Sequence, residues 1–179
     1  YFTSGGTEGD NWVVKGSMIE KREYGNHMII SGIEHPAVSE TAEQLKALGV
    51  EVSIVPVDEH GFVRIDELEK LIRKDTVLIS IMAVNNEVGS IQPILEISKL
   101  LNAYPKIHFH VDAVQAIGKV PLNEWLTERV DFATFSAHKF HGPRGIGFIY
   151  WKKGRRLAPL LNGGGQEKNQ RSGTENVPA

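Results

Sequence analysis

No cysteine occurs among the 179 residues of this chain, which rules out a disulfide framework and any metal site built on thiolates. Long apolar runs are missing as well: none approaches the roughly 18 residues of a membrane-spanning helix, so no membrane association is expected. Nor is there an excess of charge of one sign. Twenty Lys and Arg against 22 Asp and Glu leave a net charge of -2, which gives no reason to expect nucleic acid or an anionic membrane as a partner. Internal repeats, low-complexity segments and linkers are also absent, so one domain spanning residues 1–179 is expected. The chain opens on "YFTSGGTEGDN" rather than on methionine or a signal-like stretch, and it stops at "RSGTENVPA". The expectation is a piece of a longer chain.

What is present suits a soluble globular domain: 41% apolar and 23% charged residues, over a length that supports one real core. Two periodicities alternate along it. Short apolar or β-branched runs at 27–31, 50–57, 76–82, 106–111, 131–136 and 147–151 predict strands. Between them, "AVSETAEQLKALG" spaces Val38, Ala42, Leu45 and Leu48 at helical steps and stops at Gly49. "IDELEKLIRK" predicts a helix with Asp66 as N-cap and a Glu69–Arg73 pair. "ILEISKLLNAY" puts Ile94, Ile97, Leu100 and Leu101 on one stripe. Strands alternating with helices imply an α/β fold, a three-layer arrangement with a mostly parallel sheet between helices.

In such sheets ligands bind beyond the carboxyl ends of the strands, and the polar residues of interest fall there. In "TSGGTEGDN", Gly6 and Thr7 precede "WVVKG", which could open a helix; glycine backbone and free amides at a helix start suit a phosphate. Its plainer reading is a turn. His35, between the strand "HMIIS" and Pro36, can stack on a flat ligand, shuttle protons or simply cap the next helix. In "AVNNEVG", Asn85 and Asn86 are turn formers or hydrogen-bonding contacts to a ligand. Asp112 ends an apolar strand, where a carboxylate is costly unless a positive or protonated group meets it. A pyridinium nitrogen would do so, while the plainer reading is a solvated N-cap aspartate; Gln115 follows one turn later. "DFATFSAHKFHGP" delivers Ser136, His138 and Lys139 to another strand end. A lysine there can form a Schiff base with an aldehyde cofactor, or stand solvated on the surface. His108 and His110 share one face of their strand with no third metal ligand nearby, so no metal site is expected; His141 reads as a turn residue.

The motifs "TSGGTE", "EHPAV", "NNEVG", "HVDAVQ", "SAHKFHGP" and "RSGTEN", in this order along essentially the whole chain, resemble the cofactor-binding large domain of cysteine desulfurases. These belong to the class V aminotransferase group of enzymes that use pyridoxal 5'-phosphate (PLP). The resemblance implies that Lys139 is the Schiff-base lysine and proton carrier. It implies that Asp112 pairs with the ring nitrogen, Gln115 bonds the phenolic oxygen, and His35 stacks on the ring and takes part in proton transfer. Gly6, Thr7, Ser136 and His138 would hold the phosphate, Asn86 would lie near the phenolic oxygen or substrate carboxylate, and Thr174 would reach the phosphate of a partner subunit. The implied activity converts L-cysteine to L-alanine and an enzyme persulfide for iron–sulfur clusters or tRNA thiolation. A homodimer, a sulfur-acceptor or scaffold protein as partner, and a cytoplasmic setting go with it. The persulfide-forming cysteine of the family is missing here, so turnover by this chain alone is not expected. Another class V enzyme, an aminotransferase or selenocysteine lyase, and a non-catalytic scaffold domain stay open at this point.

Overall fold

The computed structural model describes residues 1–178. Seven strands form one sheet: β1 (Phe2–Thr3), β2 (His27–Ser31), β3 (Glu51–Val55), β4 (Thr76–Met82), β5 (His108–Asp112), β6 (Phe132–Ser136) and β7 (Gly147–Trp151). Their order across the sheet is β1-β7-β6-β5-β4-β2-β3. Strands β2 to β6 run parallel, while β7 is antiparallel to β6 and to β1. The helices longer than one turn are α1 (Gly6–Glu20), α2 (Pro36–Ala47), α3 (Ile65–Leu71) and α4 (Ile94–Leu101). No helix among the described residues is long and apolar enough to cross a membrane.

The alternation of side chains along the central strands assigns the layers. On β4 and β5, Ile79, Ile81, Phe109 and Val111 face one way and pack with Leu68 of α3 and Ile94, Ile97 and Leu101 of α4. On the other face, Met28, Ile30 and Leu78 meet Val14 and Met18 of α1 and Val38, Ala42 and Leu45 of α2. Further along α1, Trp12 and Val13 pack with Phe132, Ile149 and Leu157. The expected three-layer α/β architecture is the one observed.

Helix α1 begins at Gly6, six residues before the "WVVKG" run, and it lies unusually close to the sheet. A Cβ at Gly9 would stand 2.6 Å from Thr134 Cγ2, and one at Gly16 would stand 2.7 Å from the Ala158 carbonyl oxygen. Two local expectations are corrected. Arg64, not Asp66, is the N-cap of α3; Asp66 lies in the first turn, where its carboxylate pairs with Arg64 at 3.1 Å. Arg73 does not pair with Glu69, because α3 ends at Leu71 and the guanidinium turns to Glu51 and Asp75. The pairing strand β1 was not anticipated; two residues are too few to show a periodicity.

At the amino ends of β5 and β6 a buried arginine ties the layers together. Arg129, 7% exposed, donates to the carbonyls of Leu101 (3.0 Å), Tyr104 (3.1 Å) and Ile107 (2.7 Å) and to Asp131 Oδ2 at 2.8 Å. Asp131 completes the junction by accepting from Arg155 at 2.7 Å and from the Phe109 amide at 2.9 Å. Arg129→Leu removes four hydrogen bonds from this buried junction, including one of the two arginines that pair with Asp131. It should lower the free energy of unfolding by about 3–5 kcal/mol in urea titrations followed by circular dichroism. A loss below about 1 kcal/mol would show that the junction is dispensable.

Candidate active site

Beyond the carboxyl ends of the parallel strands, the start of α1 and the segments following β2, β4, β5 and β6 enclose a cleft of about 220 Å³. It lies where the strand order turns back: β2 has β3 on one side and β4 on the other, and a crevice at such a reversal is the usual ligand site of an open parallel sheet. Gly6, Thr7, His35, Asn86, Asp112, Gln115, Ser136, His138 and Lys139 all line this cleft. Thr174 does not. It is exposed in a separate hollow beside Phe2, Ser4, Glu167 and Arg171, where Arg171 grips Glu8 of α1 through two bonds of 2.8 and 3.0 Å.

One end of the cleft is rich in donors. Gly5, the N-cap of α1, has φ 155° and ψ -175°, a conformation that is essentially restricted to glycine. Gly6 follows so close to the next loop that a Cβ would stand 2.8 Å from Val114 Cγ2. The Ser4 amide donates to Glu8 at 2.8 Å and closes the first turn, while the opening amides of any helix lack carbonyl partners within it and favour an anion. Ser136, the last residue of β6, shares a 2.9 Å hydrogen bond with His138 Nδ1. Lys139 sits in the tight turn Ala137–Phe140, which is ended by His141 in the left-handed region at φ 69°. His141 is therefore a turn residue and lies outside the cleft lining.

The floor is acidic and dry. Asp112, 5% exposed, closes β5, and its Oδ1 accepts from the Val114 amide at 2.9 Å. Burial raises its pKa, with the Val114 amide and the nearby His35 acting the other way. Asp10 comes from α1, 1% exposed, and its Oδ1 has no hydrogen-bond partner. Burial pushes its pKa well up, the charge of Asp112 adds to this, the nearby Thr134 hydroxyl opposes it, and Glu34 adds a smaller push. Glu34, immediately before His35, accepts from the Ser31 hydroxyl and from the Met82 amide at 2.9 Å, and its Oε2 has no partner. Burial raises this carboxyl to about 8, so it is mostly protonated near neutrality. Neither Asp10 nor Glu34 was singled out in the sequence. The signal for Asp10 was its place four residues after Gly6, one helical turn on, but it is visible only once α1 is known to start there.

His110 lies under this floor with both ring nitrogens engaged, Nδ1 by Ser80 Oγ at 2.8 Å and Nε2 by Thr134 Oγ1 at 2.9 Å. Burial drives its pKa down to about 3, so the ring is neutral. His108 is similarly held by Ser17 at 3.0 Å. No group of three or more metal-ligating side chains occurs among the described residues.

Some readings prove to be two at once. His35 is the N-cap of α2, accepting from the Ala37 amide at 3.0 Å through Nδ1, and it also walls the cleft. The adjacent asparagines divide the work: Asn85 is buried and holds the turn by accepting from the Glu87 and Val88 amides, both at 2.9 Å, whereas Asn86 lines the cleft. Gln115 Oε1 accepts from Lys119 at 2.6 Å.

The residues fit PLP on the structure's own terms. A buried carboxylate at one end calls for a cationic ring nitrogen, a helix start with a glycine cradle at the other calls for a phosphate, and a lysine stands on the wall between loops. Enzymes of the class V aminotransferase and cysteine desulfurase type are PLP-dependent.

Comparison with known proteins agrees. The family model described as "Aminotransferase class-V" matches residues 1–179. A "NifS/IcsS protein homolog" from Lactobacillus delbrueckii subsp. bulgaricus is 56% identical over 179 residues, covering 100% of this chain and 46% of the relative. "Cysteine desulfurase IscS" from Methanosarcina thermophila is 52% identical over 178 residues, covering 99% of this chain and 44% of the relative. A solved structure named "NIFS-like protein" superposes with a TM-score of 0.94 at 48% identity, covering 99% of this chain and 49% of that one. The chain thus spans less than half the length of these relatives. With the family model matched from end to end and the fold shared, this chain belongs to the class V aminotransferase family.

Proposed function

We propose that this chain forms the PLP-holding part of a cysteine desulfurase, acting on L-cysteine. The observation that carries the reading is the meeting, in one cleft at the strand ends, of Lys139, buried Asp112, His35 and the glycine-led start of α1. When bound, PLP supplies an electron sink for the charge that develops at the substrate α-carbon.

The chain's own residues would do the rest. Lys139 would hold the cofactor covalently and, once released, carry a proton on Nζ to and from the substrate carbon. Asp112 would keep the ring nitrogen protonated: a carboxylate in so dry a place gains most from a partner that brings a positive charge. His35, fixed by its bond to the Ala37 amide, would lie flat against the ring. Gly6, Thr7, Ser136 and His138 would bind the phosphate, and Gln115 and Asn86 would face the ring's phenolic oxygen. Thr174, which lies outside the cleft of its own chain, would serve the phosphate of a second copy in a homodimer. The sulfur acceptor would be a cysteine thiolate, which none of these 179 residues supplies. A scaffold or acceptor protein would take the sulfur onward, in the cytoplasm.

The decisive experiment mixes the protein with PLP, reduces it with borohydride and locates the pyridoxyl group by peptide mass spectrometry. The expected result is a single adduct on Lys139 that disappears in Lys139→Ala; labelling scattered over surface lysines would defeat the proposal. The phosphate end has its own test. In Gly6→Val the new side chain meets Val114, so PLP should bind about tenfold more weakly, whereas dephosphorylated pyridoxal, titrated in parallel, should bind as before. Equal losses for both ligands would place the phosphate elsewhere.

A further inference from the structure

Asp10 has no part in the scheme above, yet it occupies the most restricted position of any carboxyl in the cleft. It is 1% exposed, lines the same cavity as Asp112, and its Oδ1 finds no hydrogen-bond partner. The nearest cation-forming group is His110, whose Nε2 is 3.6 Å from that oxygen. This ring is a poor counter-charge: it is fully buried, Ser80 and Thr134 are the hydrogen-bond partners of its nitrogens, and burial favours its neutral form. The helix leaves Asp10 no way out: Gly6 and Gly9 press this stretch of α1 onto Val114 and Thr134. Around Asp10 stand Asp112 and His110 on β5, Glu34 beyond β2, His35 at the start of α2, and His138 and Lys139 beyond β6.

Two ionised carboxylates cannot share this floor without water or a second cation. One ring nitrogen brings one positive charge, which Asp112 is better placed to meet because it already accepts the Val114 amide. We propose that Asp10 is a positioning residue that supplies a neutral carboxylic acid to the cleft floor, so that Asp112 alone carries the negative charge opposite the cofactor ring. In this arrangement the acid fills a polar position that a carboxylate would overload and an apolar side chain would leave to water. The inference rests on the PLP reading of the cleft and adds to it a residue that touches neither substrate nor the covalent bond.

The test uses the full-length gene product labelled with ¹³C at the aspartate carboxyls, with and without PLP. The Asp10 signal is assigned by its loss in Asp10→Asn. At neutral pH it should have the chemical shift of a protonated acid in both states; an ionised Asp10 in the PLP-loaded protein overturns the proposal. Affinity gives a second reading. Asp10→Asn, a neutral group of the same shape, should bind PLP within about threefold of the parent, whereas Asp10→Ala should bind about tenfold more weakly. An alanine variant that is folded by near-ultraviolet circular dichroism and binds as tightly as the parent would remove any positioning role. A loss in Asp10→Asn as large as that in Asp112→Asn would show that Asp10 works as a charge, and would also refute the proposal. If the alanine variant does not fold, the asparagine variant and the carboxyl shift decide alone. The PLP reading is judged separately, by the adduct on Lys139, and the protonation of Asp10 is legible in the cofactor-free protein whatever that result.

Discussion

The close approach of α1 to the sheet is the constraint on which the site depends. Helices normally ride on a sheet through a layer of side chains, but here glycine removes that layer at positions 6, 9 and 16, where a single methyl group would collide with Val114, Thr134 or the Ala158 carbonyl. The helix axis is lowered, and its first turn is brought level with the ends of β5 and β6. Without that lowering, the unpaired amides of the first turn would stand in solvent rather than at the edge of the cleft. The same closeness puts polar groups of the helix in contact with their surroundings, and two of them are matched: Ser17 with His108, and the Trp12 indole N–H with the Ala158 carbonyl at 3.1 Å. Glycine in a helix costs about 1 kcal/mol each relative to alanine, a local sacrifice that the packing of Trp12 and Val13 against Phe132 and Ile149 offsets.

The cleft is electrically polarised. The start of α1, Ser136 and His138 bring hydrogen-bond donors to the cleft and Asp10 and Asp112 bring carboxyls to its floor, with Lys139 and His35 lining the same space. A ligand that is anionic at one end and cationic at the other is oriented by such a field before any covalent step. Burial enforces the pattern, since acids out of water stay neutral unless a cation joins them. The apolar face of the sheet, with Ile79, Ile81, Phe109 and Val111 against α3 and α4, contributes only rigidity.

Much of this was legible in the sequence, and the parts that were not share a cause. The strands at 27–31, 76–82 and 147–151 agree with their observed bounds because each is an uninterrupted apolar or β-branched run. The cleft residues were legible because each directly follows such a run, and chain order then puts them at one edge of a parallel sheet. By contrast, the first turns of α1 read as loop, because Gly6, Gly9, Asp10 and Asn11 are all poor helix formers in isolation. Their helix is held by contacts with residues more than a hundred positions away. Asp10 was lost with it, and Arg129 escaped notice for a related reason. Its value lies in three carbonyls at and beyond the end of α4, and backbone acceptors leave no trace in a sequence.

The strand order also carries a consequence for biogenesis. Phe2 and Thr3 pair with Phe148 and Gly147, and the bed on which α1 lies is built from β4, β5, β6 and β7, all of which follow it in the chain. As the polypeptide emerges from the ribosome, the Val14 and Met18 side of α1 can meet β2 and α2 early, but the Trp12 and Val13 side has nothing to lie on until β6 and β7 have been made. Trp12 and Val13 stay uncovered throughout that interval, and pairing across so long a separation is slow. Nascent chains of this topology are thus exposed to mispairing and aggregation late in synthesis, and they depend on whatever shields apolar surface until β7 arrives.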